Sequence, residues 1–129
     1  MIDAQNILWA GTKESVQFFD IDKRLFTSSI QTTSKYAVTA LFAYKDEVWL
    51  GTKEHGILIF DSKTKKPVAS PNKISLSHPW VSSMLAVAND EIWVATFGAG
   101  IDIVDANRKQ LVEHIKRDPS IDSSINLDS

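Results

Sequence analysis

The side chains best suited to catalysis or metal binding in this 129-residue sequence are three histidines. His55, His78 and His114 lie too far apart in the chain to show the short spacing of a metal-ligand motif. His114 has serines nearby, Ser120 and Ser123, but neither lies in the G-x-S-x-G context of a nucleophile. The sequence also contains no cysteine, which excludes disulfides and thiolate metal ligands. These residues therefore predict no metal site and no serine-based catalysis.

Two acidic pairs and two glycine-containing phrases are the remaining candidates for chemistry. Asp46-Glu47 and Asp90-Glu91 each precede a tryptophan in a repeated phrase, which favours turns over an acid–base couple. The phrases GTKES and FGAGIDIV are too short for a phosphate-binding loop or a dinucleotide fingerprint, and no helix is expected after them. We therefore expect a protein that is not an enzyme and binds no cofactor.

One aromatic residue, Trp80, lies outside every repeated position. In the phrase SLSHPWVSS it follows His78 and Pro79, and proline favours an extended or turn conformation before the next strand. Its ring is able to stack on a sugar or to anchor a partner peptide. The alternative is that Trp80 only covers the end of its own sheet, and the sequence leaves both interpretations open.

A repeat positions all of these residues. Trp9, Trp49 and Trp93 recur after 40 and 44 residues, and aligning them superimposes a small residue, a threonine and an aspartate. The aligned sets are Gly11, Gly51 and Ala95; Thr12, Thr52 and Thr96; and Asp20, Asp61 and Asp105. Because three copies share four positions, we interpret these residues as a structural framework.

Each unit has the pattern of short antiparallel strands. Apolar and β-branched residues alternate over short runs separated by Gly, Asp, Asn and Lys. Four strands in about 40 to 45 residues are typical of one propeller blade, and the middle unit includes a weaker fourth strand near Val68. The small residue allows a neighbouring backbone to approach, the tryptophan fills the space between sheets, and the aspartate accepts N–H bonds across a turn.

The phase of the repeat predicts the domain organisation of an all-β chain. The first unit starts with its second strand, so residues 1–36 form a partial blade, residues 37–80 and 81–117 form two further blades, and residues 118–129 connect toward another. About three four-stranded antiparallel blades make a propeller segment with an incomplete ring, because a ring normally needs at least four. We expect further blades from the same chain or from other copies.

In such a fold the connectors between blades and the turns between second and third strands emerge on one face. These segments are residues 13–14, 32–36, 53–55, 75–80 and 97–99. The candidate binding residues on them are Trp80, His78, His55, Tyr36, Phe97 and Lys53.

Composition excludes several classes of partner. A formal net charge of −2 and a pI near 5.9 provide no basic footprint for nucleic acid, and the cationic phrase KTKKP is best read as a solvated turn. No apolar run reaches the roughly 18 residues of a membrane span, and the first residues lack an export signal. We therefore expect no nucleic-acid binding and no membrane insertion by this segment.

The phrases WLGTKEHGILIFD and WVATFGAGIDIVD resemble the repeats of two-component regulator propellers, and KRDPSIDSSI is similar to the connector that follows their blades. This resemblance implies an extracytoplasmic sensor ahead of a signalling domain, and several such sensors bind carbohydrate fragments. The sequence departs from that family where AYKDEVW and AVANDEIW lack the usual D-x-x-G before the tryptophan.

The phrase VSSMLAVANDEIWVAT also resembles divergent WD-repeat-like propellers of cytoplasmic signalling proteins. That resemblance implies a scaffold for protein–protein interaction, although the Gly-His and terminal Trp-Asp pairs of standard WD repeats are missing. The leading hypothesis is a non-catalytic recognition or scaffold module of a larger signalling protein. The alternative is a ligand sensor that binds an oligosaccharide or another small molecule.

Overall fold

Ten strands in three antiparallel sheets make up the computed structural model, which describes residues 1–31, 37–68 and 74–116. Within these residues every sheet joins strands that are consecutive in the chain, and no helix is long and apolar enough to cross a membrane. We call the sheets blades 1 to 3. Blade 1 contains β1 (Ile7–Gly11), β2 (Ser15–Asp20) and β3 (Leu25–Gln31); blade 2 contains β4 (Val38–Tyr44), β5 (Glu47–Thr52) and β6 (Ile57–Asp61); blade 3 contains β7 (Val81–Val87), β8 (Glu91–Thr96), β9 (Gly100–Asp105) and β10 (Gln110–Ile115). The prediction of an all-β chain is confirmed.

Two blades are completed only by short bridges among the described residues. Ile2 forms an antiparallel bridge with Leu8, so the first residues lie beside β1 as the end of β4 lies beside β5. Phe60 forms a bridge with Pro67, and the N–H of Val68 donates to the carbonyl of Ile59 at 2.9 Å. The expected fourth strand of the middle unit is therefore a bridge at this point, and residues 69–73 lie outside the described residues.

The repeated tryptophans fill the space between blades. Trp9 and Trp49 are 1% and 0% exposed, and each faces the next blade in the chain. Apolar residues of both blades surround them. The core between blades 1 and 2 contains Trp9, Val16, Phe18, Val48, Leu50 and Phe60, and the core between blades 2 and 3 contains Trp49, Val81, Ile92, Val94, Val104 and Ala106. Burial of these side chains is the main favourable term that holds the blades together.

The repeated glycines, on β1 and β5, allow the first strand of the next blade, β4 or β7, to approach closely. A Cβ atom placed on Gly11 would lie 2.8 Å from Val38 Cγ1 of the next blade, and one placed on Gly51 would lie 2.6 Å from Val81 Cγ1. Side-chain atoms do not pack this closely, so any larger residue would force the blades apart. Ala95 has the same position in blade 3, on a face that no other described strand covers.

The repeated aspartates hold the turns after the third strands of blades 2 and 3. Asp61 Oδ1 accepts N–H bonds from Lys63 and Thr64 at 2.8 and 2.9 Å. Asp105 Oδ1 accepts bonds from Asn107 and Arg108, both at 2.9 Å. Hydrogen bonds from the backbone of Thr64 and Lys63 hold the pKa of Asp61 below its usual value, because they favour the ionised carboxylate. In blade 1, Asp20 Oδ1 accepts a similar bond from the N–H of Lys23 at 2.9 Å.

A second contact recurs at each blade boundary and joins an indole, a carboxylate and a lysine. We call it the boundary set. Between blades 1 and 2, Trp9 Nε1 donates to Asp3 Oδ2 at 2.7 Å, and Lys65 Nζ of blade 2 lies 3.3 Å from the same oxygen. Between blades 2 and 3, Trp49 Nε1 donates to Glu47 Oε1 at 3.2 Å, and Lys109 Nζ lies 3.0 Å from Glu47 Oε2. Each lysine thus ties its blade to the tryptophan and acid of the blade before it.

Asp3 is buried, yet its carboxylate stays ionised. Burial acts to raise the pKa of Asp3, but hydrogen bonds from the Trp9 indole and from the N–H groups of Ile7 and Gln5 outweigh it, with help from Lys65. The net result is a pKa below the usual value. Ionised Asp3 therefore stabilises the folded chain, and protonation removes that stabilisation.

We predict that Gly51→Ala lowers the free energy of unfolding by about 1–3 kcal/mol, because the added methyl meets Val81. Val81→Ala should relieve this clash, so the double variant should lose less stability than the two single variants together, by at least about 0.5 kcal/mol. Urea denaturation of the four proteins measures the coupling. Val16→Ala, at the other blade boundary, is the matched control and should be additive with Gly51→Ala. If the stability losses of Gly51→Ala and Val81→Ala simply add in the double variant, the contact between Gly51 and Val81 does not limit the packing of the two blades.

We predict that Asp3→Asn lowers the free energy of unfolding at neutral pH, because asparagine offers Lys65 no charge and the indole a weaker acceptor. Since the folded-state pKa of Asp3 is lowered, its contribution is present above about pH 4 and is lost as the pH falls through that lower value. Urea denaturation across a pH series should therefore show a constant difference between the two proteins down to about pH 5 and a shrinking one below about pH 4.

The matched control for this series is Asp22→Asn, which changes an exposed carboxylate bonded to Asn6 Nδ2 at 3.0 Å. It should have little effect at any pH. A difference for Asp3→Asn that persists at the lowest pH where both proteins fold would contradict the assignment of its stabilisation to the ionised carboxylate.

Candidate functional site

The candidate site lies where the connector into blade 3 meets the turns between second and third strands of blades 2 and 3. Two backbone hydrogen bonds join these segments. The N–H of Gly56 donates to the carbonyl of Pro79 at 2.8 Å, and the N–H of Phe97 donates to the carbonyl of Trp80 at 2.9 Å. Residues 53–56, 75–80 and 97–99 are therefore neighbours in space, although they are far apart in the chain.

Two aromatic rings and a lysine form the centre of this site, and we call them the aromatic platform. The rings of Trp80 and Phe97 are stacked, with centroids 4.4 Å apart and planes 18° from parallel. Lys53 Nζ of blade 2 lies 5.0 Å from the Trp80 ring centroid, within the range of a cation–π contact. Phe97 is 57% exposed and Trp80 is half-buried, so the platform offers a rigid apolar surface to solvent.

The platform residues occupy variable positions of the repeated framework. Phe97 follows Thr96 as Lys53 follows Thr52, and Trp80 precedes β7 as Ala37 precedes β4. The backbone geometry is shared, since Lys53 N–H donates to the Ala37 carbonyl at 3.0 Å just as Phe97 N–H donates to that of Trp80. Blade 2 forms this backbone hydrogen bond with an alanine and a lysine, so the bond does not require the aromatic pair found in blade 3.

The two candidate histidines support the segments that carry the platform. His78 Nδ1 accepts the N–H of Trp80 at 3.1 Å, which fixes the end of the connector. The N–H of His55 donates to Thr52 Oγ1 at 2.9 Å, and Thr52 Oγ1 donates to the carbonyl of Gly56 at 2.8 Å. These bonds fix the turn after β5 and place His55 beside the connector.

A pocket of about 200 Å³ adjoins these segments. It mixes apolar and polar lining residues from the turn of blade 2 and from the connector. They are Glu54, His55, Gly56, Ile74, Ser75, Leu76 and Pro79. The pocket and the platform share the connector of residues 75–80, so one extended partner is able to contact both.

The structure thus brings four of the six candidate binding residues together. Trp80, Phe97, Lys53 and His78 meet at the platform, and His55 borders the adjoining pocket. Tyr36 lies outside the described residues. Within those residues no group of three or more His, Asp or Glu side chains is arranged to hold a metal ion.

A buried polar cluster behind the connector was not found by sequence reasoning. Asp102 is 0% exposed, and its two carboxylate oxygens accept the N–H and the hydroxyl of Ser77, both at 2.7 Å. His114 Nδ1 lies 2.6 Å from Asp102 Oδ1 and 2.9 Å from Ser77 Oγ. The cluster ties the connector to β9 and β10, three residues before Trp80. Its one sequence signal is a charged residue at an inward position of the strand phrase GIDIVD.

This serine, histidine and aspartate do not have the geometry of a catalytic triad. In a triad the serine and the carboxylate contact opposite nitrogens of the imidazole ring, so that a proton can pass between them. Here Ser77 Oγ and Asp102 Oδ1 both lie within 2.9 Å of the same nitrogen, His114 Nδ1. The arrangement holds the connector in place rather than activating the serine.

A polar network joins blades 2 and 3 at the opposite edge, where the first and third strands end. The Tyr44 hydroxyl donates to Asp90 Oδ1, and Asn107 Nδ2 donates to Asp90 Oδ2 at 3.1 Å. The bond from Tyr44, followed by that from Asn107, holds the pKa of Asp90 below its usual value, while the bond to Asp90 raises the pKa of Tyr44. The network stabilises the blade boundary and is remote in the fold from the platform turns.

Comparison with solved structures identifies the architecture. The chain is similar to Kuenenia stuttgartiensis hydrazine synthase (TM-score 0.71, 18% identity, 90% of this chain and 34% of that chain). It is also similar to the RRP9 WD40 repeats (TM-score 0.74, 10% identity, 91% and 37%). A third similar structure is the extracellular domain of the one component system BT4673 from B. thetaiotaomicron (TM-score 0.66, 19% identity, 88% and 18%).

The chain has a β-propeller fold. The prediction of an incomplete ring of about three antiparallel blades is confirmed, since the three sheets do not close. Both kinds of propeller that the sequence resembles are represented among the similar structures. No protein-family model and no curated protein sequence matches the chain. The chain spans between 18% and 37% of the length of these three similar proteins.

We predict that Asp102→Asn loosens the connector that carries Trp80. The neutral amide replaces a carboxylate that accepts two short bonds from Ser77, and loss of such bonds costs about 1–3 kcal/mol. Hydrogen exchange followed by mass spectrometry should show exchange in residues 75–80 accelerated by roughly tenfold or more. Asp105→Asn on the same strand releases only its own turn and should leave these residues protected. Unchanged exchange at Ser77 in the Asp102 variant would contradict the proposed tether.

Proposed function

We propose that this chain is a non-catalytic recognition module, which binds a protein partner through the aromatic platform and the adjoining pocket. The observation that carries the proposal is the stack of Trp80 and Phe97 at positions where blade 2 has alanine and lysine. A framework position that needs no aromatic residue for folding, yet exposes a large one, is a candidate for binding.

The physical properties of the platform suit an anchor for a peptide segment. Tryptophan and other large aromatic side chains dominate binding energies because they bury much apolar area at a low cost in rotamer entropy. Phe97 is already held against Trp80, so little ordering is required when a partner covers its outer side. Lys53 adds a positive charge beside the rings, which favours a partner segment with an acidic residue next to its apolar contact.

The absence of catalysis in this proposal rests on the geometry of the polar side chains. The serine, histidine and aspartate cluster contacts a single ring nitrogen, and the two histidines near the platform are engaged with the backbone of their own segments or border the pocket. Among the similar proteins, hydrazine synthase is an enzyme by its name, but a likeness at 18% identity extends only to the fold.

A second candidate function is the sensing of an oligosaccharide or another small molecule. The similarity to the extracellular domain of the one component system BT4673 favours it, and a flat aromatic ring beside a pocket of about 200 Å³ suits a sugar. In that case Phe97 stacks on the sugar, and Glu54 and His55 bind its hydroxyl groups. The two candidate functions use the same residues and differ in the class of ligand.

We predict that a library of random 12-residue peptides displayed on phage contains peptides that bind the full chain through the platform. Trp80→Ala and Phe97→Ala should each weaken a selected peptide by about 2 kcal/mol, or roughly 30-fold, as expected for hot-spot residues. Leu25→Ala, at an exposed position on blade 1, is the matched control and should bind as the parent chain does. Circular dichroism of each variant checks that it is folded.

An array of immobilised oligosaccharides distinguishes the second candidate. Binding of a sugar that is lost in the Phe97→Ala chain, with no platform-dependent peptide, would overturn the first candidate in favour of the second. Both candidates would be contradicted if the selected peptides all bind the Trp80→Ala and Phe97→Ala variants equally well and no sugar on the array binds the chain in a way that depends on Phe97.

A further inference from the structure

We propose that the partner of the aromatic platform is a peptide segment of mixed charge. An acidic side chain of this segment pairs with Lys53 at the platform, and a basic side chain enters the adjoining pocket and pairs with Glu54. The proposal rests on the proposed function, in which one peptide covers both the platform and the pocket. The charges of the turn after β5 define which peptide fits.

Lys53 and Glu54 are consecutive residues of one turn, yet they belong to different parts of the site. Lys53 Nζ lies 5.0 Å from the centroid of the Trp80 ring, so this charge is part of the platform. Glu54 lines the pocket of about 200 Å³. Both side chains are exposed, and neither forms an ion pair with another of the described residues. Two opposite charges are thus available to a partner at two adjoining places.

The turn that carries the two charges is fixed to the connector. Thr52 Oγ1 accepts the N–H of His55 at 2.9 Å and donates to the carbonyl of Gly56 at 2.8 Å. The N–H of Gly56 in turn donates to the carbonyl of Pro79 at 2.8 Å, and its φ of 64° is a conformation that glycine adopts readily. Because the backbone of the turn is already held, binding has to order only the two charged side chains, which lowers its entropic cost.

The pocket has the composition that suits a long basic side chain. Ile74, Leu76 and Pro79 give it apolar walls, and Glu54 is the only acidic residue among the described residues that line it, with no lysine or arginine. A basic side chain of the partner would pack its aliphatic stem on these walls and bring its charged head to the carboxylate. Arginine suits this place best, because its planar guanidinium forms two parallel bonds to a carboxylate and is weakly hydrated.

At the platform the partner needs the opposite charge. Phe97 is 57% exposed and is stacked on Trp80, so an apolar side chain of the partner is able to cover it. The ammonium group of Lys53 at the Trp80 ring attracts a carboxylate beside that apolar contact and repels a basic residue there. Lys53 therefore determines specificity as well as affinity. The segment fits in one orientation, with its acid at the platform and its base at the pocket.

Blade 1 provides the same two charges without the platform. Its turn between β1 and β2 has the same pair, Lys13 and Glu14, directly after the repeated threonine. At the boundary between blades 1 and 2, the position of Trp80 is occupied by Ala37, which offers no ring to the lysine. Lys13 and Glu14 are therefore matched controls for Lys53 and Glu54.

Three phage libraries of short random peptides test the charge pattern on the full chain. One library contains all amino acids, the second lacks Asp and Glu, and the third lacks Lys and Arg. Peptides that lose binding to the Phe97→Ala chain should come from the first library alone. Each of them should contain at least one acidic and one basic residue.

Charge reversal, measured by titration calorimetry, assigns each charge of a selected peptide to its residue. Lys53→Glu and Glu54→Lys should each weaken binding by roughly tenfold or more. Replacing the acid of the peptide by lysine should restore binding to the Lys53→Glu chain but not to the Glu54→Lys chain, and replacing its base by glutamate should do the converse. Lys13→Glu and Glu14→Lys should leave the affinity unchanged.

Changes in the peptide alone keep the test informative if a variant of the chain fails to fold. Replacing the acid of the peptide by its amide, or its base by methionine, should each weaken binding to the parent chain by roughly tenfold.

The possible outcomes separate this proposal from the proposed function. Peptides that depend on Phe97 but bind the Lys53→Glu or the Glu54→Lys chain as well as the parent chain would overturn the charge pattern and leave the proposed function standing. Phe97-dependent peptides from a library without acids or without bases would do the same. If no library yields a peptide that depends on Phe97, the proposed function fails and the charge pattern fails with it.

Discussion

The close approach of the first strands of blades 2 and 3, β4 and β7, to Gly11 and Gly51 of the blade before them is the constraint on which the other contacts depend. Because glycine has no side chain, Val38 and Val81 of the following blades pack directly against the backbone of Gly11 and Gly51. This spacing lets a tryptophan fill the remaining gap and become fully buried. It also brings the turn of one blade within hydrogen-bond distance of the next connector, as the bond from Gly56 to Pro79 shows. The platform exists because the blades are this close.

The boundary set fixes the indole nitrogen of Trp9 and of Trp49 by a hydrogen bond to a carboxylate, which in turn pairs with a lysine of the next blade. A carboxylate as buried as that of Asp3 would be costly without partners, but two backbone N–H groups, an indole and an ammonium group satisfy it. Such a pair adds less net stability than apolar packing does, so its main effect is on geometry. At both boundaries the lysine of the next blade lies within 3.3 Å of the acid, so the two pairs place the blades in the same relative register.

The strands were predictable from the sequence because their signal is local. Alternation within each unit and the recurrence of Trp9, Trp49 and Trp93 predicted the three sheets, and the resemblance of two phrases to propeller repeats predicted the blade architecture. The platform was predictable in part, as residues on connectors and turns, but the stacking of Trp80 on Phe97 depends on a backbone contact between distant segments. The Asp102 cluster and the lysine contacts of the boundary sets join positions 12 to 62 residues apart, and a single sequence carries little information about such pairs.

Two rings of the aromatic platform, Trp80 and Phe97, lie beside the first two strands of blade 3, β7 and β8. The turn of Phe97 begins directly after Thr96, at the end of the strand that holds Trp93 and Glu91. A second pocket, of about 320 Å³, lies beside this turn and is lined by Thr96, Gly98, Gly100, Ile101, Ile115 and Lys116. Ile101 and Ile115 belong to the same side of the sheet as Trp93, so the apolar side of blade 3 continues from the repeated tryptophan to the turn that carries Phe97.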